Sequence, residues 1–162
     1  MKSNKEVIKV NVTNLSDLFH PFDNDDISDE LQDFIEERCS NTTKYDLVIK
    51  FITAKELTEQ MKEKIVTAIR SHYGLDVKYT ELSNKKMKQL NVIYLIIGIV
   101  MIFGLRALNI DLSFTYILDI IGSLMIWESA YNLVFMDSEM DQQIILDKKI
   151  MKAHIKFEKK KD

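Results

Sequence analysis

The order of hydrophobic and polar positions divides the chain into a mixed first half, an apolar middle and a short charged end. The middle contains two nearly unbroken apolar segments separated by a short polar turn. As a helix, the first segment would extend for about 28 Å, close to the hydrocarbon thickness of a bilayer. The second would reach about 37 Å and would have to tilt or protrude. The pattern predicts a transmembrane helical hairpin over residues 85–136, with spans at about 90–108 and 112–136.

Before the hairpin, short segments in which apolar residues recur at strand or helix spacing indicate strands and amphipathic helices. Alternation over Glu6–Val12 predicts one strand, and the β-branched run Tyr45–Ile52 predicts a second. Asp26 is predicted to cap a first helix, whose buried positions include Leu31. Thr53-Ala-Lys-Glu56 has the spacing of a capping box and predicts the start of a second helix.

The stretch between the predicted end of this second helix, at Gly74, and the first span fits two structures. Leu75, Val77 and Tyr79 alternate as a strand would, yet residues 75–89 also fit helical spacing, and the helix is slightly favoured. After the second span, residues 137–152 have the pattern of a helix, and residues 153–158 alternate again. A strand there could return to the N-terminal sheet, which would make the hairpin an insertion in one domain.

These elements predict the α+β class: a small cytosolic α/β layer of two to four strands with helices, plus the two-helix transmembrane hairpin. The predicted organisation is a cytosolic α/β domain over residues 1–84, the hairpin over 85–136, and a cytosolic helix with a possible strand over 137–162.

Charge sets the predicted orientation and excludes one class of partner. The 162 residues carry a net charge of −3, so no global field favours nucleic acid. Lys85, Lys86 and Lys88 precede the first span and further lysines follow the second, whereas residues 107–112 contain no lysine or arginine. Because cytoplasmic flanks carry the lysine and arginine excess, both termini are predicted to be cytosolic.

Two carboxylates fall inside the second span, where ionisable groups are costly and need a partner, a proton or water. Asp119 and Glu128 are nine positions apart, which places them on opposite sides of one helix, about 13 Å apart along its axis. They are therefore two separate candidate sites. Asp119 lies on a stripe of small and polar residues with Gly122, which predicts packing against the first span with Arg106 as a counter-ion.

Glu128 has two interpretations. It lies beside Asn132, and Tyr94 of the first span enters the bilayer from the same side and could donate a hydrogen bond. In one interpretation Glu128 is a protonatable or cation-binding carboxylate at an oligomer interface; in the other it is a hydrogen-bonded residue that holds helices together. Trp127 begins an aromatic stripe that is typical of interfacial anchoring.

The remaining chemistry argues against an enzyme. No nucleophile–base pair, phosphate-binding loop or metal-ligand spacing occurs, so no catalytic residue, cofactor or metal is predicted. Cys39 is the single cysteine and is expected to be an inert helix residue. His72, on an apolar helix face, is expected to be a satisfied core residue.

Part of the second span resembles a known group of proteins. Gly122, Trp127 and Glu128, followed by a charged helix, resemble an uncharacterised family of small bacterial two-span membrane proteins with a Gly-Trp-x-x-x-Trp-type signature and a nearby acidic residue. Ser123 stands where that family has its first tryptophan, and Tyr131 where a further carboxylate is expected. The resemblance implies two spans and a bacterial cytoplasmic membrane, and it implies no activity.

Two functions follow as hypotheses. The first is a membrane-anchored non-enzymatic adaptor or sensor, whose cytosolic domain binds a partner and whose hairpin mediates oligomerisation. The alternative is a subunit of an oligomeric channel or transporter that uses the intramembrane carboxylates, because two helices cannot enclose a pore alone. The expected partners are the lipid bilayer and either further copies of the chain or another membrane protein.

Overall fold

A computed structural model describes residues 5–39, 46–107 and 112–160; it does not describe the side chains of residues 105, 106, 112–115, 136 and 137. Helix and strand are mixed, consistent with the α+β class. In chain order the elements are β1 (Lys5–Val12), a 3₁₀ turn (Leu15–Leu18), β2 (Phe19–His20), β3 (Asp23–Ile27), α1 (Asp29–Arg38), β4 (Asp46–Thr53), α2 (Glu59–Ala107), α3 (Leu112–Tyr131), a π-helical turn (Asn132–Met136), α4 (Asp137–Met151) and β5 (His154–Lys159).

The chain divides into two compact units. The first, which we call the sheet unit, combines Met1–Tyr79 with Gln142–Asp162, and the second, the helix-pair unit, is Thr80–Asp141. The long helix α2 contributes residues to both units, and so does α4. Each unit is described separately below.

A three-stranded parallel sheet in the order β1-β4-β5 organises the sheet unit. Val10 of β1 is in register with Phe51 of β4, which in turn pairs with Phe157 of β5. The Phe51 and Phe157 rings stack with their centroids 5.6 Å apart. The predicted strand after the second span therefore exists and pairs with the N-terminal sheet.

One face of this sheet forms the core. Alternating strand residues point to opposite faces, so Ile8 and Val10 of β1 lie on the same side as Ile49 and Phe51 of β4. The helices cover this side with apolar residues that are buried in the same cluster: Leu31 and Ile35 from α1, Ile65, Ala68, Ile69 and Tyr73 from α2, and Leu146 and Ile150 from α4.

The start of α1 corrects the predicted cap. Ser28, not Asp26, is the N-cap: its Oγ accepts a hydrogen bond from the Leu31 backbone N–H and donates one to the Asp17 carbonyl oxygen at 2.7 Å. Asp26 lies instead in β3, which pairs antiparallel with β2. Acidic residues rarely form a strand, and this hairpin was missed because its polar sequence suits a loop equally well.

The start and end of α2 also differ from prediction. The predicted capping box is wrong, because Thr53 ends β4 and donates its hydroxyl to the Lys55 carbonyl oxygen. Thr58 caps the helix, since its Oγ1 accepts a hydrogen bond from the Met61 backbone N–H. The helix does not end at Gly74 but continues to Ala107, which confirms the slightly favoured helix, and not the strand, for residues 75–89.

In the helix-pair unit, α2 and α3 come into close contact at two glycines. A Cβ on Gly98 would lie 2.8 Å from the Gly122 carbonyl oxygen and 2.8 Å from Ile126 Cγ1. A Cβ on Gly122 would lie 3.0 Å from the Gly98 carbonyl oxygen. Contacts this short are possible only without side chains, which is why small residues occur where helix backbones touch.

The burial of α3 only partly follows the predicted stripe. Of the small and polar residues at this spacing, Gly122 is buried and Asp119 is partly buried, but Ser123 and Ala130 are exposed. Asp119, Gly122, Ile126 and Ser129 are all buried or partly buried, and they recur every three or four residues, the spacing of a helix that packs along one line.

Two helices, over Glu59–Gly104 and Tyr116–Met151, are each long enough and apolar enough to cross a membrane. Only 11% of each apolar stretch is buried in the structure. Large side chains such as Ile96, Ile120 and Leu124 are more than half exposed. A soluble protein rarely exposes such a continuous apolar surface, so the two helices indicate association with a membrane.

Candidate functional site

The helix-pair unit contains a cavity of about 370 Å³ between α2 and the end of α3. It brings together Glu128, Asn132 and Tyr94, three residues that the sequence analysis placed on one side of the bilayer. The rest of its wall is mixed in character: Asn91 and Ser129 are polar, and Met87, Leu90 and Met125 are apolar.

The polar groups of this cavity differ in their exposure. Asn91 is 7% exposed and Ser129 is 2% exposed. Among the described residues, neither side chain makes a hydrogen bond, and Glu128 has neither a hydrogen bond nor an ion pair. The Glu128 side chain is exposed, so its carboxylate is accessible. The Asn91, Ser129 and Glu128 side chains line the cavity and can contact a polar or cationic group that enters it.

The backbone changes at the edge of the cavity. The π-helical turn Asn132–Met136 follows α3 directly and begins with a cavity residue. Such turns insert one extra residue into a helix and are frequent at functional sites. Here the turn shifts the side chains after Asn132 around the helix axis relative to those before it.

Asp119 and Trp127 lie elsewhere on α3. Both line a second, more open depression with Tyr116, Ile120, Ser123 and Leu124, and the Ser123 hydroxyl donates to the Asp119 carbonyl oxygen at 2.7 Å. Trp127 is 73% exposed, as an interfacial anchor would be. The predicted Arg106 counter-ion lies outside the described side chains.

A second polar cluster, absent from the sequence analysis, lies in the core of the sheet unit. The Asp147 carboxylate is 1% exposed and accepts a hydrogen bond from Gln143 Nε2 at 3.0 Å. Burial, together with the nearby Glu36 and Asp76 carboxylates, raises the pKa of Asp147 to about 6. The fully buried Tyr73 hydroxyl has no hydrogen-bond partner among the described residues, and burial raises its pKa as well.

The His72 ring lies at the edge of this cluster. One ring nitrogen is 2.8 Å from Asp26 Oδ1 and the other is 3.0 Å from Gln32 Oε1. Asp76 Oδ2 is 3.3 Å from the second nitrogen. His72 is thus hydrogen-bonded and mostly buried, and it joins β3, α1 and α2. Among the described residues, no group of three or more potential metal ligands is found.

Cys39 also lies in the core of the sheet unit. Burial raises the pKa of its thiol to about 11, so the reactive thiolate is scarce near neutral pH. The side chain therefore acts as a small apolar residue.

Sequence reasoning identified Glu128, Asn132 and Tyr94 but missed the other polar residues. Asn91 resembles an ordinary polar residue at the start of an apolar segment, and Ser129 resembles a small packing residue. Asp147 sits in a charged sequence, where an exposed side chain is the usual expectation. Its position three residues before the buried Ile150 is the one available signal, because that spacing places both on one helix face.

Comparison with known proteins gives no assignment: no family model, no curated protein and no solved structure matches this chain.

Proposed function

We propose that this protein is a membrane-anchored, non-enzymatic adaptor or sensor, in which the sheet unit binds a partner protein and the helix pair spans the bilayer and mediates oligomerisation. The observation that carries the proposal is the exposed apolar surface of α2 and α3, attached to a folded α/β unit. On a single chain, an exposed apolar surface of this kind has to be surrounded by lipid.

Chain connectivity supports the sensor role. The sheet unit is completed by β5, which follows the helix pair in sequence, and both α2 and α4 contribute to its core. A change in the helix pair therefore acts on the sheet unit through both connections. The lysines that flank the apolar segments support a topology with both termini in the cytosol of a bacterium, and the resemblance of the second span supports the same two-span organisation.

Cross-linking in the cells that produce the protein tests this function. A photoreactive amino acid at Asp33, which is exposed on α1, is expected to cross-link the sheet unit to a partner protein. The same group at Leu124, which is 61% exposed on α3, is expected to join two copies of the chain. Membrane-embedded protein that gives neither product would contradict the adaptor role.

A second function is supported by the cavity around Glu128. An exposed carboxylate on a cavity that is also lined by the amide of Asn91 and the hydroxyl of Ser129 is suited to a cation, and an assembly of several helix pairs could align such sites along a path. We propose this role of a channel or transporter subunit as the alternative.

The substitution Glu128→Gln separates the two functions. It keeps the shape of the side chain and removes the charge, so a transport subunit should lose most of its sodium, potassium or proton flux in proteoliposomes. An adaptor should keep its oligomeric state and its cross-links. Glu139→Gln, at an exposed position of α4, is the matched control. Unchanged flux and oligomeric state in Glu128→Gln would rule out the transport role.

A further inference from the structure

Strand β5 lies at one edge of the parallel sheet. Among the described residues it pairs with β4 on one side only. The Lys160 backbone N–H donates to the Thr53 carbonyl oxygen at 2.9 Å. In a parallel ladder the N–H and C=O of one residue point to the same neighbouring strand, and those of the next residue point away from it. The backbone groups of Ile155, Phe157 and Lys159 therefore point to the outer edge of β5, where a further strand can bind them.

The charges of β5 suit a second copy of the same strand. Lys156 and Glu158 are exposed and lie on the face of the sheet opposite the core. Ile155 and Phe157 face the core but are only partly buried. Lysines on an edge strand usually prevent pairing, because they repel a second identical strand. Here two neighbouring residues of one face have opposite charges, so a second copy can be attracted instead.

One antiparallel register satisfies both the backbone groups and the charges. If a twofold axis passes between the Phe157 residues of two copies, residue 156 of each copy lies opposite residue 158 of the other. Phe157 opposite Phe157 and Ile155 opposite Lys159 are then the hydrogen-bonded pairs, as their outward backbone groups require. Lys156 and Glu158 form the alternate pairs, in which side chains lie closer together. Two symmetric ion pairs result.

The other edge strand of this sheet, β1, offers no such register. Its one acidic residue, Glu6, lies on the opposite face of the sheet from Lys5 and Lys9. A twofold axis normal to the sheet brings together residues of the same face, so Glu6 cannot lie opposite either lysine of a second copy. Of the two edges of the parallel sheet, charge complementarity therefore selects β5.

We propose that two copies of the chain join their β5 edges in this antiparallel register, so that their parallel sheets become one continuous sheet. The partner is a second copy because the charges of β5 complement those of the same strand reversed. At the ends of the pairing, Lys159 lies opposite Ile155 and Lys160 opposite His154, where flexible lysines can turn into solvent. This inference goes beyond the proposed function, in which the helix pair joins the copies, and gives the sheet unit a contact of its own.

Disulfide formation in isolated membranes tests this register. One full-length chain carries Lys156→Cys, and a second chain, produced in the same cells with a size tag, carries Glu158→Cys. In the mixed pair the two new thiols lie opposite each other, and the remaining Glu158 and Lys156 keep the second ion pair. With a copper–phenanthroline oxidant, we expect the mixed disulfide to form much faster than a disulfide in either chain produced alone, where the thiols lie on a diagonal about 7–8 Å apart. The native Cys39 is buried and common to all chains.

Two controls separate this contact from chance collisions and from effects on folding. Lys9→Cys with Asn11→Cys has the same spacing at exposed positions of β1 and should give only background linkage. Adding Lys156→Glu to the Glu158→Cys chain places two carboxylates opposite each other in the mixed pair, so linkage should slow severalfold. Adding Lys9→Glu instead makes the same charge change and should leave the rate unchanged. Lys9 and Lys156 both lie beside Lys50, so neither change adds like charges within the chain.

The proposal is overturned if the mixed disulfide forms no faster than the β1 control or than the disulfides of the chains produced alone. It is also overturned if the Glu158→Cys chain links to a different protein and not to a second copy. The cross-link at Leu124 reports on the helix pair independently. Its absence alongside a rapid β5 disulfide would contradict oligomerisation through the helix pair and leave the β5 contact supported.

Discussion

Replacing Gly98 with valine is expected to separate α2 from α3 and expose the residues between them. Even a single Cβ there would lie 2.8 Å from a carbonyl oxygen of the facing helix, and the backbone cannot move away as a flexible side chain can. Overpacking of this kind costs about 1–3 kcal/mol or more. The measurement is the maleimide labelling rate of Ser129→Cys, a position that is 2% exposed in the intact pair. We expect an increase on the order of tenfold to a hundredfold.

Gly104→Val provides the matched control. Among the atoms that the structure describes, a Cβ at Gly104 would meet only Val100 Cγ1 of its own helix, at 3.5 Å. The control therefore introduces the same residue into the same apolar segment without reaching any described atom of α3. If Gly98→Val and Gly104→Val label at the same rate, the two helices do not touch at Gly98.

Replacing Asp147 with asparagine is expected to stabilise the sheet unit at neutral pH. Asparagine keeps the oxygen that accepts the hydrogen bond from Gln143, but it has no charge to bury. A pKa raised from about 4 to about 6 corresponds to about 3 kcal/mol when the carboxylate is fully ionised. We expect a gain of up to about 3 kcal/mol near pH 7.5. The measurement is hydrogen exchange of the β4 amides in the full chain.

The pH dependence of the unmodified protein follows from the same pKa. The folded state holds the Asp147 proton more tightly than the unfolded state does. The stabilisation of the folded state by this proton is therefore fully present below about pH 4. It is lost as the pH rises through about 6. Asp147→Asn should therefore remove this loss, and the exposed Asp33→Asn should not. A lower stability of Asp147→Asn at pH 7.5 would mean that the buried charge is needed.

The strands and the apolar helices were predictable because their signals are local and repeated. The alternation of β1, the β-branched β4 and the short β5 all correspond to observed strands. The first residues of the helices were less predictable, because several residues that can serve as an N-cap lie close together in the sequence. Asp26 and Ser28 both have side chains that can cap a helix; in the structure Ser28 is the cap, and Asp26 lies within hydrogen-bonding distance of His72, which is distant in sequence.

The candidate site was only partly predictable for a related reason. Glu128 is conspicuous because a carboxylate in an apolar segment is rare. Asn91 and Ser129 become part of the site only when two helices pack and leave them mostly buried at the wall of the cavity. The burial of Asp147 likewise depends on contacts between segments far apart in sequence, which no local sequence period reveals.

The pairing of β4 with β5 also fixes the order of events during synthesis. Roughly a hundred residues, including both apolar helices, separate the paired strands. A ribosome makes β5 only after it has made both helices, so until then β4 has an unpaired edge and the apolar core lacks its final strand. Assembly of the sheet unit is thus delayed until the apolar helices have been produced, which gives them time to enter a bilayer first.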